Sequence, residues 1–235
     1  MAGNYLRGAL IEFTESFPLP VPNLILFQYN PETMTHTWTP SKSGGIDGPE
    51  QRPHNPLSIS GPPEESFSFK LAMDSNDTIA DGNPVTAGLA KASGVYPRLA
   101  ALEMLLFPTA PPGGGLVGSI SSALGGSAGA STATSVPAGQ IPTVFFVWGL
   151  GRIAPVRLSS LKITEQLYDS QLLSPVQAEA EIELKVLTAP ELQFITGKLG
   201  TLARAAAKYT TGLREALAIA NLTNSTESIA GMLPF

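Results

Sequence analysis

Eleven residues, Val176–Val186, alternate without a break. Val176, Ala178, Ala180, Ile182, Leu184 and Val186 are apolar, and Gln177, Glu179, Glu181, Glu183 and Lys185 stand between them. A period of two over that length dictates a half-buried β-strand, with one face in a core and the other in water or on a neighbour. Upstream, Val156, Leu158, Leu161, Ile163 and Leu167 form an apolar series broken only by Ser159-Ser160. Between the two series lies Tyr168–Pro175, a polar turn closed by proline. The spacing predicts a long β-hairpin over Ile153–Leu187, and the rest of the chain has to be organised around it.

The chain has 235 residues, enough for one large β domain or two small ones. It has no cysteine, which excludes disulfides and thiolate metal sites and fits a reducing compartment. A net charge of −5 argues against a general nucleic-acid binder, which needs a basic face. Only 14% of residues are charged, against about 25% in a typical chain, and a surface so poor in charge hints at assembly. The first residues, MAGNYLRGALIEF, lack the basic start and apolar run of a targeting segment. No stretch approaches the roughly 18 apolar residues of a membrane helix, so direct membrane insertion is not expected.

In chain order, Tyr5–Phe13 reads as a strand, and Ser16–Asn23, with three prolines, as a segment unable to pair centrally. Leu24–Tyr29 reads as a strand, and Thr33–Thr39 as another with Met34, His36 and Trp38 on one face. Residues 41–63 read as loop. Glu64–Asp74 alternates, with Phe67, Phe69, Leu71 and Met73 inward, and Ser75–Pro84 reads as polar loop. Pro97 opens one helix, closed by Pro108, with a stripe of Leu99, Leu102, Leu105 and Leu106. Residues 110–140 form a Gly/Ser/Ala-rich insertion, expected to be flexible. Thr143–Trp148 is a buried strand. Glu191–Asn221 is helical, weakened by Gly197, Gly200 and Gly212 so that two helices are possible, and the last residues read as an extended tail. Residues 1–190 thus form a β domain and 191–235 a helical extension. The fold class is mainly β with α, a sandwich or barrel with one internal helix.

Chemistry is sparse. His36 lies on an apolar strand face, where a satisfied structural histidine is the simplest reading, and His54 has no ligand-spaced neighbour. No serine stands in a nucleophile elbow. Gly113, Gly115 and Gly118 match a dinucleotide fingerprint only by glycine abundance. Asp74, Asn76 and Asp81 lack the Gly and Glu of a calcium loop, with Ile79 and Val85 at those positions. Neither catalytic, metal nor cofactor-binding residues are assigned, and no enzyme activity is expected. The pairs Glu12/Glu15 and Glu64/Glu65 read as solvated strand edges. Glu179, Glu181 and Glu183 form an acidic row, and like charges on one face repel unless basic groups meet them. The row is either a solvated face or meets Arg or Lys across a subunit boundary. With Arg157, Lys162, Glu165, Tyr168 and Asp169 of the same hairpin, it makes up the candidate subunit interface.

Several blocks also carry a family resemblance. Leu26–Glu32 (LFQYNPE) resembles the F-x-[FY]-N-P signature near the start of contractile injection system tube proteins. Tyr96–Glu103 resembles that family's central helix, and Val144–Gly149 the strand after it. Pro155–Leu158, Leu161–Glu165, Tyr168-Asp169 and Pro175–Leu187 resemble its closing strands. The blocks stand in the family's order over roughly residues 6–187. The resemblance implies a tail-tube-like fold closed into a hexameric ring with a continuous inner barrel, without cofactor. It is to the tube-initiator type, a baseplate component of a phage-tail-like particle that joins the spike hub to the inner tube. Implied partners are further copies of the chain, usually six, the spike/hub protein, the inner tube protein and other baseplate components. A helical segment stands where related proteins add a LysM module, which puts attachment to the cell wall or outer baseplate in doubt. Assembly is expected in the cytoplasm, with the particle remaining there, anchored at a membrane or thylakoid, or released. Two alternatives stand beside this: a tube terminator, and a small-ligand-binding or hydrolytic β-sandwich module.

Overall fold

The structure, a computed structural model, describes residues 6–14, 21–41, 61–80, 83–107 and 141–230, without the side chains at 14, 21, 22 and 222–230. The insertion at 110–140, His54, Glu15, Asp81 and the last five residues lie outside the described residues. Seven strands build one sheet: β1 (Ala9–Thr14), β2 (Val21–Leu26), β3 (Met34–Thr39), β4 (Glu64–Asp74), β5 (Thr143–Trp148), β6 (Arg152–Tyr168) and β7 (Pro175–Val186). Their spatial order is β2-β1-β5-β6-β7-β4-β3, every neighbour antiparallel. The fold is mainly β with α. The β6–β7 hairpin at its centre has the limits that the alternation predicts, and the faces too except at Leu167, which is exposed and takes left-handed backbone near the tip. Its one register shift falls between Leu158 and Ser160, where Ser159-Ser160 interrupt the apolar series.

The sheet curls. β5 and β4 are three steps apart, about 14 Å along a flat sheet. Yet Phe146 of β5 lies with its ring centroid 5.2 Å from Phe67 and 5.5 Å from Phe69 of β4. The two strands therefore face each other across a core that also takes in Phe27, Leu10, Leu71, Ile182 and Leu184. Phe27 stands just after β2, on the short link to β3, so the two ends of the sheet are also brought near one another.

Among the described residues three helices, not one, separate β4 from β5: α1 (Ser75–Ala80), α2 (Pro84–Ser93) and α3 (Tyr96–Met104). The expected polar loop before residue 84 is thus partly helical. The signal for α2 was Asn83-Pro84: the Asn83 carboxamide accepts from Val85 N at 3.1 Å, and Pro84 opens the helix where a missing N–H costs nothing. Gly94 turns the corner at φ +60°, so close to β7 that a Cβ would lie 2.1 Å from the Pro175 carbonyl oxygen. Leu99, Leu102 and Leu105 enter the core, whereas Leu106, past the end of α3, is exposed.

Two other expectations need correction. The strand read as Leu24–Tyr29 runs Val21–Leu26 and contains Pro22, which is tolerated because β2 is an edge strand. A 3-10 turn, Glu191–Phe194, leads into a single helix, α4 (Gly197–Ala230), so the division that the glycines left possible does not occur and the helix extends into the segment read as a tail. Gly200 does not break α4. It packs where a Cβ would lie 1.9 Å from the Ile195 carbonyl oxygen, so glycine permits the helix to start there. Leu199, Ala203 and Ala206 form a second core with Phe145, packed against Ile11, Phe13 and Ile153. The helical extension is thereby part of the β domain's packing.

Candidate assembly surface

Four strands, in the order β6-β7-β4-β3, present one continuous polar face. Register places Glu181 between Lys70 of β4 and Lys162 of β6, Glu179 between Ala72 and Thr164, and Glu183 between Ser68 and Ser160. On β3 the same face carries Thr35, Thr37 and Thr39, opposite Ser68, Ser66 and Glu64. The acidic row therefore meets lysines of its own chain. Lys70 Nζ lies 2.8 Å from Glu179 Oε1, Lys162 Nζ 3.9 Å from Glu181 Oε2, and Lys185 Nζ 2.9 Å from Glu64 Oε1. The hydrogen bond to Glu179 holds the Lys70 ammonium above its usual range. Pairs this exposed contribute little to stability but leave the face nearly neutral.

The other candidate residues divide among three places. Arg157 is exposed opposite Lys185, and Lys162 is on the polar face. Glu165 lies on the other face of β6, opposite Ala178. At the hairpin tip, Tyr168 donates to Glu165 Oε2 at 3.0 Å, which raises its phenol's pKa. Asp169 organises the turn. Its Oδ1 accepts from the N–H groups of Gln171 and Leu172, both at 2.9 Å, and those bonds lower its carboxyl below the usual range. Leu167 and Leu173 take left-handed backbone there, at φ 51° and 54°. So the eight residues do not form one cluster: the hairpin distributes them over its polar face, its apolar face and its tip.

The edges matter most. β5 pairs with β6 only over Arg152–Val156. Beyond it, residues 157–168 of β6 pair with β7 on one side and, among the described residues, with no strand on the other. Among the described residues β3 likewise pairs only with β4. The polar four-strand segment thus ends in an open edge on each side. Open edges are ready templates for another chain.

At one end of the segment lies a buried charge cluster that sequence reading missed. Glu65, expected on a solvated strand edge, is 6% exposed. It accepts from Arg214 Nη1 of α4 at 2.9 Å, with Nη2 on its other oxygen. His36 Nε2 lies 2.7 Å from Glu65 Oε1, and its ring stacks on Phe67 with centroids 4.4 Å apart. Arg214 also covers the Trp38 ring at 4.7 Å. His36 is thus a satisfied structural histidine. Glu12 is buried too, accepting from Asn23 Nδ2 at 2.9 Å. The missed signal at Glu65 was its phase: it shares the parity of Phe67 and Phe69 on β4.

Near the opposite end of β4, Tyr29 bonds Asp77, and this bond pushes its phenol up to about 12. Among the described residues, no group of three or more His, Cys, Asp or Glu is placed to hold a metal ion. A shallow cavity of about 410 Å³ is lined by Thr39, Pro40, Ser41, Gly61, Pro62, Glu64 and Thr188, and its carboxylate is already engaged by Lys185. Among the described residues, no helix is long and apolar enough to cross a membrane. The chain matches no protein-family model and no curated protein.

Proposed function

We propose that this chain is a structural, non-enzymatic component of a contractile injection system baseplate: a tube initiator that forms a ring between the spike hub and the inner tube. The observation that carries the reading is the four-strand segment β6-β7-β4-β3, bare and polar on one face, apolar on the other, and open at both edges. Joining the β3 edge of one copy to the β6 edge of the next removes both edges and repeats head to tail, the operation that closes a cyclic ring. Six copies would contribute four strands each to one inner barrel, in the manner of a tail-tube-like fold. The near-neutral Ser/Thr/Lys/Glu face would then line the channel, while the curled β2-β1-β5 end and α4 form the outer layer. This also accounts for the chain's low charge, since much of its surface would be covered by neighbours.

The hub, the inner tube protein and the other baseplate components are the partners of this reading, and assembly takes place in the cytoplasm as part of a phage-tail-like particle. Negative-stain microscopy of the purified chain, alone and with hub and tube proteins, tests it. Rings that stack on the hub and seed tube growth are the expected outcome. Rings that bind only at the end of a finished tube would identify a terminator. A monomer indifferent to both proteins would overturn the proposal.

A further inference from the structure

Helix α4 changes character along its length. As far as Arg214 it is bound to the body. Leu199, Ala203 and Ala206 are buried over β5 and β1, Tyr209 Oη donates to the Leu150 carbonyl at 3.0 Å, and Thr210 Oγ1 to that of Ile153 at 2.9 Å. Arg214 then reaches Glu65 and Trp38. These contacts trace a direction: from β5, over the turn between β5 and β6, to β4 and β3. The helix therefore leaves the body at β3, the open edge. It continues to Ala230, and the sixteen residues 215–230 span about 24 Å at 1.5 Å per residue.

Glu215–Asn221 are exposed throughout, and Ala216–Ala220 reads Ala-Leu-Ala-Ile-Ala without a charge. Leu217 is 61% and Ile219 66% exposed. The bound part of the helix, by contrast, carries Lys198, Arg204, Lys208 and Arg214. A run of exposed apolar residues on a helix that projects past an open edge marks a surface meant to be covered.

We infer that residues 215–230 are an arm that lies on the next copy of this chain, aimed there by the Arg214–Glu65 contact. The inference rests on the ring reading. If the β3 edge meets the β6 edge of the next copy, the surface beyond that edge is the next copy's β5 and β1, because β5 follows β6 in the sheet. The 3-10 turn and the first half of the neighbour's α4 cover that surface, and they expose Phe194 (82%) and Leu202 (44%). The arm's exposed Leu217 and Ile219 thus meet exposed apolar side chains, within its own length of the shared edge. The arm carries Glu215 and Glu227, and the first half of the neighbour's α4 carries Lys198, Arg204 and Lys208, so a second copy also complements the arm's charge.

The absence of cysteine allows a direct test in the full-length chain. The double variant Phe194→Cys/Leu217→Cys cannot close a disulfide within one copy. Gly197 to Leu217 alone spans about 30 Å of helix, and a disulfide needs Cα atoms within about 7 Å. Mild oxidation of assembled protein should give a ladder of covalent oligomers up to the closed ring, and neither single variant should. The variant Leu217→Asp/Ile219→Asp should leave the monomer's Tm unchanged while raising the concentration needed for assembly about tenfold or more. Rings without a ladder would overturn the arm and leave the ring reading intact. A chain that stays monomeric and uncrosslinked overturns both. Capture of Leu217→Cys only by an added hub or tube protein would give the arm to that partner and overturn the proposal.

Discussion

The two ends of the sheet follow opposite rules. At the β1–β5 end both faces are covered: Leu10 and Phe146 point into the curled core, while Ile11 and Phe145 lie under α4. β5, TVFFVW, is correspondingly apolar almost throughout. At the β7–β4–β3 end one face is covered and the other is bare, and the sequence alternates. β6 belongs to both ends, and its bulge at Leu158/Ser160 sits just past the last residue that β5 pairs. A continuous apolar run therefore marks strands already partnered on both faces. Alternation with open edges marks the part left for something outside the protomer.

The largest effect that would test this contrast is in the shared core. Phe146 is fully buried against Phe27, Phe67, Phe69 and Trp148, so Phe146→Ala should cost about 3–5 kcal/mol in denaturant unfolding. Phe145→Ala should cost about 3 kcal/mol, but differently: hydrogen exchange should rise across Leu199–Ala206 while β4 and β7 stay protected. Equal exchange increases in both regions would show that the ends are not separable.

Arg214→Ala leaves a buried carboxylate with His36 as its remaining partner, at a cost of about 3 kcal/mol. Replacing both members, Glu65→Leu/Arg214→Met, should recover most of it. A loss under 1 kcal/mol in the single variant would place the pair among ordinary surface contacts.

Glu181→Lys/Glu183→Lys puts new cations beside Lys70 and Lys162, yet should shift stability by only about 1 kcal/mol, because the face is solvated in the protomer. If the row meets a basic partner between copies, assembly should fall sharply. Normal rings from this variant would remove the row from the interface and leave the open edges to carry it.

The smallest effect is at the hairpin tip. Asp169 is stabilised as the anion by the N–H groups of Leu172 and Gln171, so its folded pKa lies below the ordinary 3.8. A depressed carboxyl contributes stability that is present above the unfolded pKa and lost as pH falls through the folded one. The amide resonances of Gln171 and Leu172 should therefore be unchanged from neutral pH down to about 4 and move only below it. Movement centred above pH 4 would refute the assignment.

Much of the fold was legible because strand periodicity is a local signal. The limits of β4 and β5, the inward sets of β4 and β7, and the shared face of Met34, His36 and Trp38 on β3 all follow from side-chain polarity in sequence order. The helices were read less well. α1 and α2 are short, and a single Asn-Pro start carries little weight amid polar residues. For α4 a division stayed open because a glycine lowers helix propensity wherever it stands, and only packing reveals that Gly200 fits against Ile195. Of the candidate surface, the acidic row was visible, but its lysine partners come from two other strands.

Alternation by itself determined that a long hairpin would offer one apolar and one polar face, since successive side chains on a strand must point opposite ways. It could not determine where pairing stops. That β5 covers only the first residues of β6, that β3 is left open, and that an arginine far along α4 closes on Glu65 were decided by tertiary structure. Each depends on which distant segments come to lie together, and no local property of a residue encodes that.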